Sequence, residues 1–270
     1  MSPFEAIVYG VIQGLSEFLP VSSSGHLALL PHIMKIQDPG VVFDLMMHFG
    51  TALAVIAYFR KDLFLYAGSV NLKLVDFNHG SSPTWFTRNF IFSTMVSVFC
   101  IVLLMPISKM ARDPYIIVFN LSFFGLILWL VDRSHWKKES FLESPMEQGM
   151  QWKMAALIGM AQALAIFPGV SRSGITLSAA LLLGMKRKDA GSFSFLMSLP
   201  IILAGILKEI PHLTQASGED LSVLLIGIFS SFVVGILTIH FFMRLITKIK
   251  LFYFALYRWV VAAAILYLIS

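Results

Sequence analysis

Residues 6–25, AIVYGVIQGLSEFLPVSSSG, and residues 155–174, AALIGMAQALAIFPGVSRSG, align without gaps at an offset of 149 and are identical at Ala6, Gly10, Gln13, Leu15, Phe18, Val21, Ser22, Ser24 and Gly25. Self-similarity of this kind marks a duplicated unit, so both halves of the chain must build the same local structure. The copies part at the residues that can react. Glu17, Ser23 and His26 of the first stand against Ile166, Arg172 and Ile175 of the second. One scaffold thus carries a carboxylate, a hydroxyl and an imidazole in one half and a guanidinium in the other.

The chain around these units is 57% hydrophobic and 13% charged, more apolar than a soluble domain of 270 residues can hide. Six segments, 42–59, 89–107, 115–132, 191–208, 221–243 and 251–269, are long and apolar enough for a hydrocarbon core of about 30 Å. The duplicated units are not. Each is two shorter apolar runs, Met1–Leu15 with Leu27–Met34 and Trp152–Ile166 with Thr176–Met185, separated by Pro and a Ser/Gly cluster. Irregular backbone at membrane depth survives only where protein or a water-filled cavity surrounds it, so each unit is predicted to be a re-entrant helical hairpin. Three spans separate the hairpins, and an odd number inverts the second relative to the first. The expected fold is an all-α integral membrane protein: six transmembrane helices plus two re-entrant helical hairpins in an inverted-topology repeat. It forms one polytopic domain over 1–270, with repeat 1 about 1–132 and repeat 2 about 151–270. Inverted repeats with broken helices also build many secondary transporters, which keeps a transport function in view.

Most of the 20 basic residues fall in segments 60–88, 133–153, 186–188 and 244–250, on one side of that topology. Lys35, Lys109, Arg112 and Lys208 lie on the other, with Glu209, Glu219 and Asp220. Cytoplasmic loops collect Lys and Arg, so both termini are predicted to be extracytoplasmic and the site to open to that side. The net charge of +5 is accounted for by these loops and does not point to nucleic acid. The single Cys100 cannot form an internal disulfide and reads as a packing residue. Met1–Met34 lacks a basic leading region and is not expected to be a cleavable signal peptide.

Gln13, Glu17 and the run Ser22-Ser23-Ser24-Gly25-His26 form the densest polar cluster, with Gln13 and Glu17 four apart on one helix face. Ionisable groups at membrane depth are costly, which singles out Glu17, His26 and Arg172 as functional candidates. Ser/Gly turns that open helices present N–H groups and hydroxyls to an anion. Ser22, Ser24, Gly25, Ser171, Ser173, Gly174 and Thr176 are therefore expected to line a phosphate cradle with Arg172, whose fork suits phosphate. Such a set can transfer a phosphoryl group. Arg172 would neutralise the equatorial oxygens while Glu17 orients or deprotonates the nucleophile. That nucleophile is His26, Ser23 or a water activated by Glu17; a neutral imidazole needs no deprotonation, which tilts the choice to His26 over an unactivated serine.

At these residues the chain resembles the undecaprenyl-diphosphate phosphatase (bacitracin-resistance) family of bacterial inner membranes. QGLSEFLPVSSSGH at 13–26 and PGVSRSGIT at 168–176 are similar to its two signatures, and FDLMMHFGT at 43–51, FSFLMSLP at 193–200 and LYRWVVAAA at 256–264 to further family segments. The resemblance implies removal of the terminal phosphate of undecaprenyl diphosphate, a polyprenyl diphosphate lipid, with a divalent cation such as Ca²⁺ or Mg²⁺. It points to Glu17, Ser23, His26 and Arg172 as catalytic, with Glu17 and Gln13 as the expected metal ligands and a homodimer as the assembly to consider. Gln13 stands where many members have Glu, which removes one carboxylate from such a metal site. His48 is read either as a satisfied histidine of the helix bundle, which is favoured, or as a neighbour of the site, and His32, His79, His135, His212 and His240 are expected to be loop or interface residues. The type 2 phosphatidic-acid phosphatase pattern also contains Ser-Gly-His, but its later element requires His where this chain has Ser178. The non-enzymatic alternative is a polyprenyl-phosphate transporter or flippase, for which matched polar groups in both hairpins would be expected.

Overall fold

The computed structural model describes residues 1–36, 38–69, 83–108, 113–136, 152–213 and 221–269, and is helical throughout them. The expectations for Lys73, His79, Lys109, Arg112, Lys137, Lys138, Glu219 and Asp220 lie outside the described residues, as do the side chains of His32, His135, Glu209 and His212. The helices are α1 (Pro3–Ser16), α2 (Ser23–Met34), α3 (Gly40–Tyr58), α4 (Arg60–Ser69), α5 (Pro83–Ser108), α6 (Pro114–Trp136), α7 (Trp152–Ala163), α8 (Arg172–Leu182), α9 (Arg187–Leu213), α10 (Leu221–Leu245) and α11 (Phe252–Ile269). Six of them, α3, α5, α6, α9, α10 and α11, contain stretches long and apolar enough to span a membrane. They coincide with the six segments read from the sequence. This is a multi-pass, all-helical membrane protein.

The duplicated units are the short pairs α1–α2 and α7–α8. A capping box starts α1: Ser2 N–H donates to Glu5 at 2.8 Å and Glu5 N–H to the Ser2 hydroxyl at 3.3 Å, with Pro3 in the first turn. Its helical hydrogen bonding stops at Glu17, followed by Pro20, which cannot donate. The second unit runs from α7 through a 3-10 turn, Leu164–Ile166, into Pro168 and Gly169.

Small residues set the helix packing. α1 lies along α10 and α7 along α5. A Cβ added at Gly10 would stand 2.5 Å from the Gly227 carbonyl oxygen, and one at Gly159 would stand 2.3 Å from that of Ser93. Such backbone approach gives helices in lipid their dispersion contact, because lipid is as apolar as their side chains. Gly159→Ala is therefore expected to cost about 1–3 kcal/mol by overpacking. Thermal unfolding in detergent against Gly68→Ala, whose Cβ would meet nothing within 4 Å, measures it. Apolar side chains such as Phe64, Met95, Phe99 and Tyr267 face outward, as lipid contact requires.

The core brings the first turn to the centre. Phe18 is fully buried and packs edge-on against Phe195 of α9 at 5.2 Å, within a cluster that includes Ala54, Val55, Phe193 and Phe242. At one end, a buried ion pair between Arg187 and Asp132 joins α9 to α6. Arg187 also donates to the Ile246 and Ile249 carbonyls, each at 3.3 Å.

Candidate active site

The two turns share an unusual conformation at equivalent residues. Ser22 has φ 75° and ψ 91°, and Ser171 has φ 71° and ψ 108°. A β-carbon residue rarely adopts positive φ, and two serines doing so at the start of α2 and α8 must be held there by their surroundings. In each turn the serine faces the next but one, Ser22 Oγ to Ser24 Oγ at 3.2 Å and Ser171 Oγ to Ser173 Oγ at 3.4 Å. The turns also bond each other. Gly169 N–H donates to Ser24 Oγ at 3.4 Å, and Ser173 Oγ donates to the Leu19 carbonyl at 3.0 Å.

Beside them lies a cavity of about 290 Å³, lined by the polar Glu17, Ser23, Ser24, His48, Gln162, Ser171 and Arg172 and by apolar residues that include Leu45, Ile101, Ile201 and Ile202. Glu17, nearly fully buried, is its hub. One carboxylate oxygen accepts from Arg172 Nη2 at 2.7 Å, a charge-assisted bond across the two turns. The other accepts from Ser23 Oγ at 2.7 Å and Gln13 Nε2 at 3.0 Å, with His48 Nε2 at 3.4 Å. Arg172 Nη1 reaches the Ser194 carbonyl at 3.3 Å, and Thr176 Oγ1 donates back to the Arg172 carbonyl at 2.7 Å.

Gln13, Glu17, Ser23 and Arg172 thus meet in one hydrogen-bonded cluster, and Ser22, Ser24, Gly25, Ser171, Ser173, Gly174 and Thr176 lie in the turns and first helical residues around it. His26 does not join them. Its Nδ1 faces the Ser22 carbonyl at 2.8 Å, so that nitrogen carries a proton and Nε2 is left to accept from Tyr257 OH at 2.8 Å. The imidazole stacks on the Tyr257 ring and lines a second, apolar cavity of about 370 Å³ with Ile12, Leu15, Leu19 and Phe254. Ser23 and His26, the two candidate nucleophiles, thus have different partners in this conformation, Glu17 for the first and Tyr257 for the second.

Of the two readings of His48, the position beside the site is the one the contacts favour: Nδ1 lies 2.8 Å from the Asp44 carbonyl and Nε2 lies 3.4 Å from Glu17. The signal was available: an ionisable residue inside the apolar segment FDLMMHFGT is costly by the same rule that selected Glu17. Arg258 in LYRWVVAAA carried that signal too. His240 lies in α10 and packs edge-on to Tyr58 at 6.2 Å.

Two oxygens are available for a hard cation. The carboxylate of Glu17 fixes the Gln13 amide with Nε2 toward it, leaving Gln13 Oε1 buried without a hydrogen-bond partner among the described residues. No group of three or more His, Cys, Asp or Glu suited to a metal occurs among the described residues. The donor set fits a cation held by one carboxylate, one amide oxygen and substrate phosphate, and not a closed all-protein cage.

A family model described as bacitracin resistance protein BacA matches residues 6–264. Among curated relatives, the undecaprenyl-diphosphatase of Marinobacter nauticus is 37% identical over 98% of this chain and 98% of its own length. That of Caldicellulosiruptor bescii is 40% identical over 98% and 97%, and undecaprenyl-diphosphatase 2 of Stutzerimonas stutzeri is 35% identical over 100% and 99%.

Proposed function

The chain belongs to the bacitracin resistance protein BacA family, and on that premise we propose that it hydrolyses undecaprenyl diphosphate to undecaprenyl phosphate and inorganic phosphate, recycling the lipid carrier for cell-wall synthesis. The observation that carries this reading is the Glu17 carboxylate held between the Ser23 hydroxyl and Arg172, in a cavity lined by both polar and apolar side chains. A diphosphate on an isoprenoid chain likewise joins a charged group to an apolar one.

In this reading the diphosphate competes with Glu17 for Arg172. As the guanidinium turns to the phosphate oxygens, Glu17 loses a cation and becomes a stronger base toward the Ser23 hydroxyl that it already accepts. Ser23 Oγ attacks the terminal phosphorus, its proton passes to Glu17, and the bond to the bridging oxygen breaks to release the polyprenyl phosphate. Glu17 returns that proton to the departing polyprenyl phosphate; it then takes one from the water that cleaves the phosphoserine and gives it to Ser23 Oγ as inorganic phosphate leaves. Arg172 and the N–H groups opening α2 and α8 oppose the charge on the equatorial oxygens. His48 Nε2 stands 3.4 Å from Glu17. Glu17 and Gln13 Oε1 would hold a divalent cation, Ca²⁺ or Mg²⁺, which supplies charge neutralisation for the diphosphate.

The inverted repeat is part of the proposal. Repeat mates pair crosswise, α1 with α10 and α7 with α5, while α3 meets α9 and α6 meets α11, as a pseudo-two-fold relation between halves would give. The proposed setting is the bacterial inner membrane, with re-entrant hairpins, extracytoplasmic termini and a site opening to that side. The hairpins' unequal polar groups, Glu17 and His26 against Ile166 and Ile175, favour catalysis over transport.

Purified protein given farnesyl or undecaprenyl diphosphate is expected to release phosphate, and chelator to suppress it. No release under any metal condition would move the assignment to a polyprenyl-phosphate transporter. Gln13→Glu is expected to stay active and to need more chelator for inhibition, since a second carboxylate strengthens a hard-cation site. A folded but inactive Gln13→Glu would mean that the added charge opposes the substrate more than it helps the metal.

A further inference from the structure

We infer that Arg258, on α11, is a positioning residue of this site: its guanidinium clamps the two serine turns to each other and to α6, and so keeps Glu17 and Arg172 in register. The side chain is fully buried, and among the described residues its hydrogen bonds go to backbone carbonyls and to no carboxylate. Nη2 donates to Gly169 at 2.8 Å and to Val170 at 3.1 Å in the second turn; Nη1 donates to Val170 at 3.1 Å and to Pro20 of the first turn at 3.4 Å. Nε reaches Leu121 at 3.1 Å and Nη2 reaches Asn120 at 3.2 Å, both on α6.

A buried cation without a counter-ion is costly, and an apolar side chain would fill the space at less expense. What only Arg supplies is a rigid fork of five donors that can serve three separate backbone segments; an ammonium has three donors on one atom. The second turn is cut to admit it. A Cβ at Gly174 would stand 3.2 Å from Arg258 Nη1, and Gly169 has φ +88° with the Ile117 oxygen 2.7 Å from where its Cβ would be. The clamp also sets N–H direction. In a planar trans peptide the N–H points opposite to the C=O, so holding the Val170 carbonyl turns the Ser171 N–H away from Arg258. Pro20 and Val170 lie close in sequence to Glu17 and Arg172, so a shift of either turn moves a reacting group.

The reaction in question is the one proposed above, and the test separates the two. In full-length protein in detergent, Arg258→Lys is expected to lower kcat for farnesyl diphosphate about a hundredfold, the loss that a misplacement of about 1 Å brings, with KM within roughly threefold. Hydrogen exchange without substrate should quicken at 18–24 and 168–174 while α10 is unchanged. Turnover above about a tenth of the parent's, or lost turnover with unchanged exchange in both turns, overturns the clamp. Should Arg258→Lys fail to fold, the unaltered chain still decides: a clamp requires the two turns to open together at a common exchange rate, and independent opening refutes it. If the parent releases no phosphate from any polyprenyl diphosphate but Arg258→Lys loses protection in both turns, the clamp stands and the phosphatase reading falls.

Discussion

Glu17→Gln is expected to lower phosphate release from farnesyl diphosphate by about a thousandfold or more while the protein stays folded. The amide keeps the volume of the carboxylate, so the packing of the first turn is preserved. What disappears is the acceptor for the Ser23 proton and the counter-charge facing Arg172 and His48. General base catalysis alone is worth about 10²–10⁴-fold, and the cation site would lose its only carboxylate as well. Arg172→Lys should be nearly as severe although charge is conserved. Arg172 spans Glu17 and the Ser194 carbonyl from two different nitrogens and must still meet a phosphate, which a point-charge ammonium cannot do. Gel filtration and thermal unfolding establish that both variants fold, and the assay is initial-rate phosphate release. An active, folded Glu17→Gln would make Glu17 a structural ion-pair partner; near-normal turnover in Arg172→Lys would show that the site needs only a positive charge.

The duplicated turns were legible because two constraints coincide in them. A helix broken by Pro and Ser/Gly at membrane depth has few physical solutions, and a repeat states the same requirement twice; hence the matched positive φ of Ser22 and Ser171 falls within the aligned segment. That Glu17 and Arg172 share one site followed from their place in equivalent hairpins; that they bond each other directly was not the favoured reading. Side-chain direction did not follow. His26 and Ser23 are three apart in α2, and that spacing allows a shared face without fixing the partner: Ser23 bonds Glu17, while the longer His26 side chain reaches Tyr257. His48 was ranked as a bundle residue ahead of a neighbour of the site because a lone polar residue in an apolar span has no spacing partner to fix its role. Arg258 was quoted within a segment but given no role, since nothing in a sequence tells a snorkelling arginine from one whose donors all end on distant carbonyls.

The largest remaining effect concerns the nucleophile, and there the geometry reverses the preference drawn from the sequence. That preference rested on serine being unactivated, whereas Ser23 donates to Glu17 at 2.7 Å and His26 Nε2 is occupied by Tyr257 OH. Ser23→Ala is therefore expected to abolish turnover, by at least about a thousandfold, because it removes the atom that forms the bond. His26→Ala should retain measurable turnover, within roughly a hundredfold of the parent, as the loss of a group positioning the turn rather than of the attacking atom. Protein mixed with substrate labelled in the terminal phosphate and quenched in milliseconds distinguishes the routes by the stability of the adduct. Phosphoserine survives acid and is lost in alkali; phosphohistidine behaves in the opposite way. Acid-stable label on the parent and on His26→Ala, and none on Ser23→Ala, is the expected pattern. Alkali-stable label that persists in Ser23→Ala and vanishes in His26→Ala would return the attack to histidine and require the Tyr257 contact to open during the cycle. Substantial turnover in Ser23→Ala with no label under either quench would leave water as the nucleophile, with Glu17 deprotonating it directly.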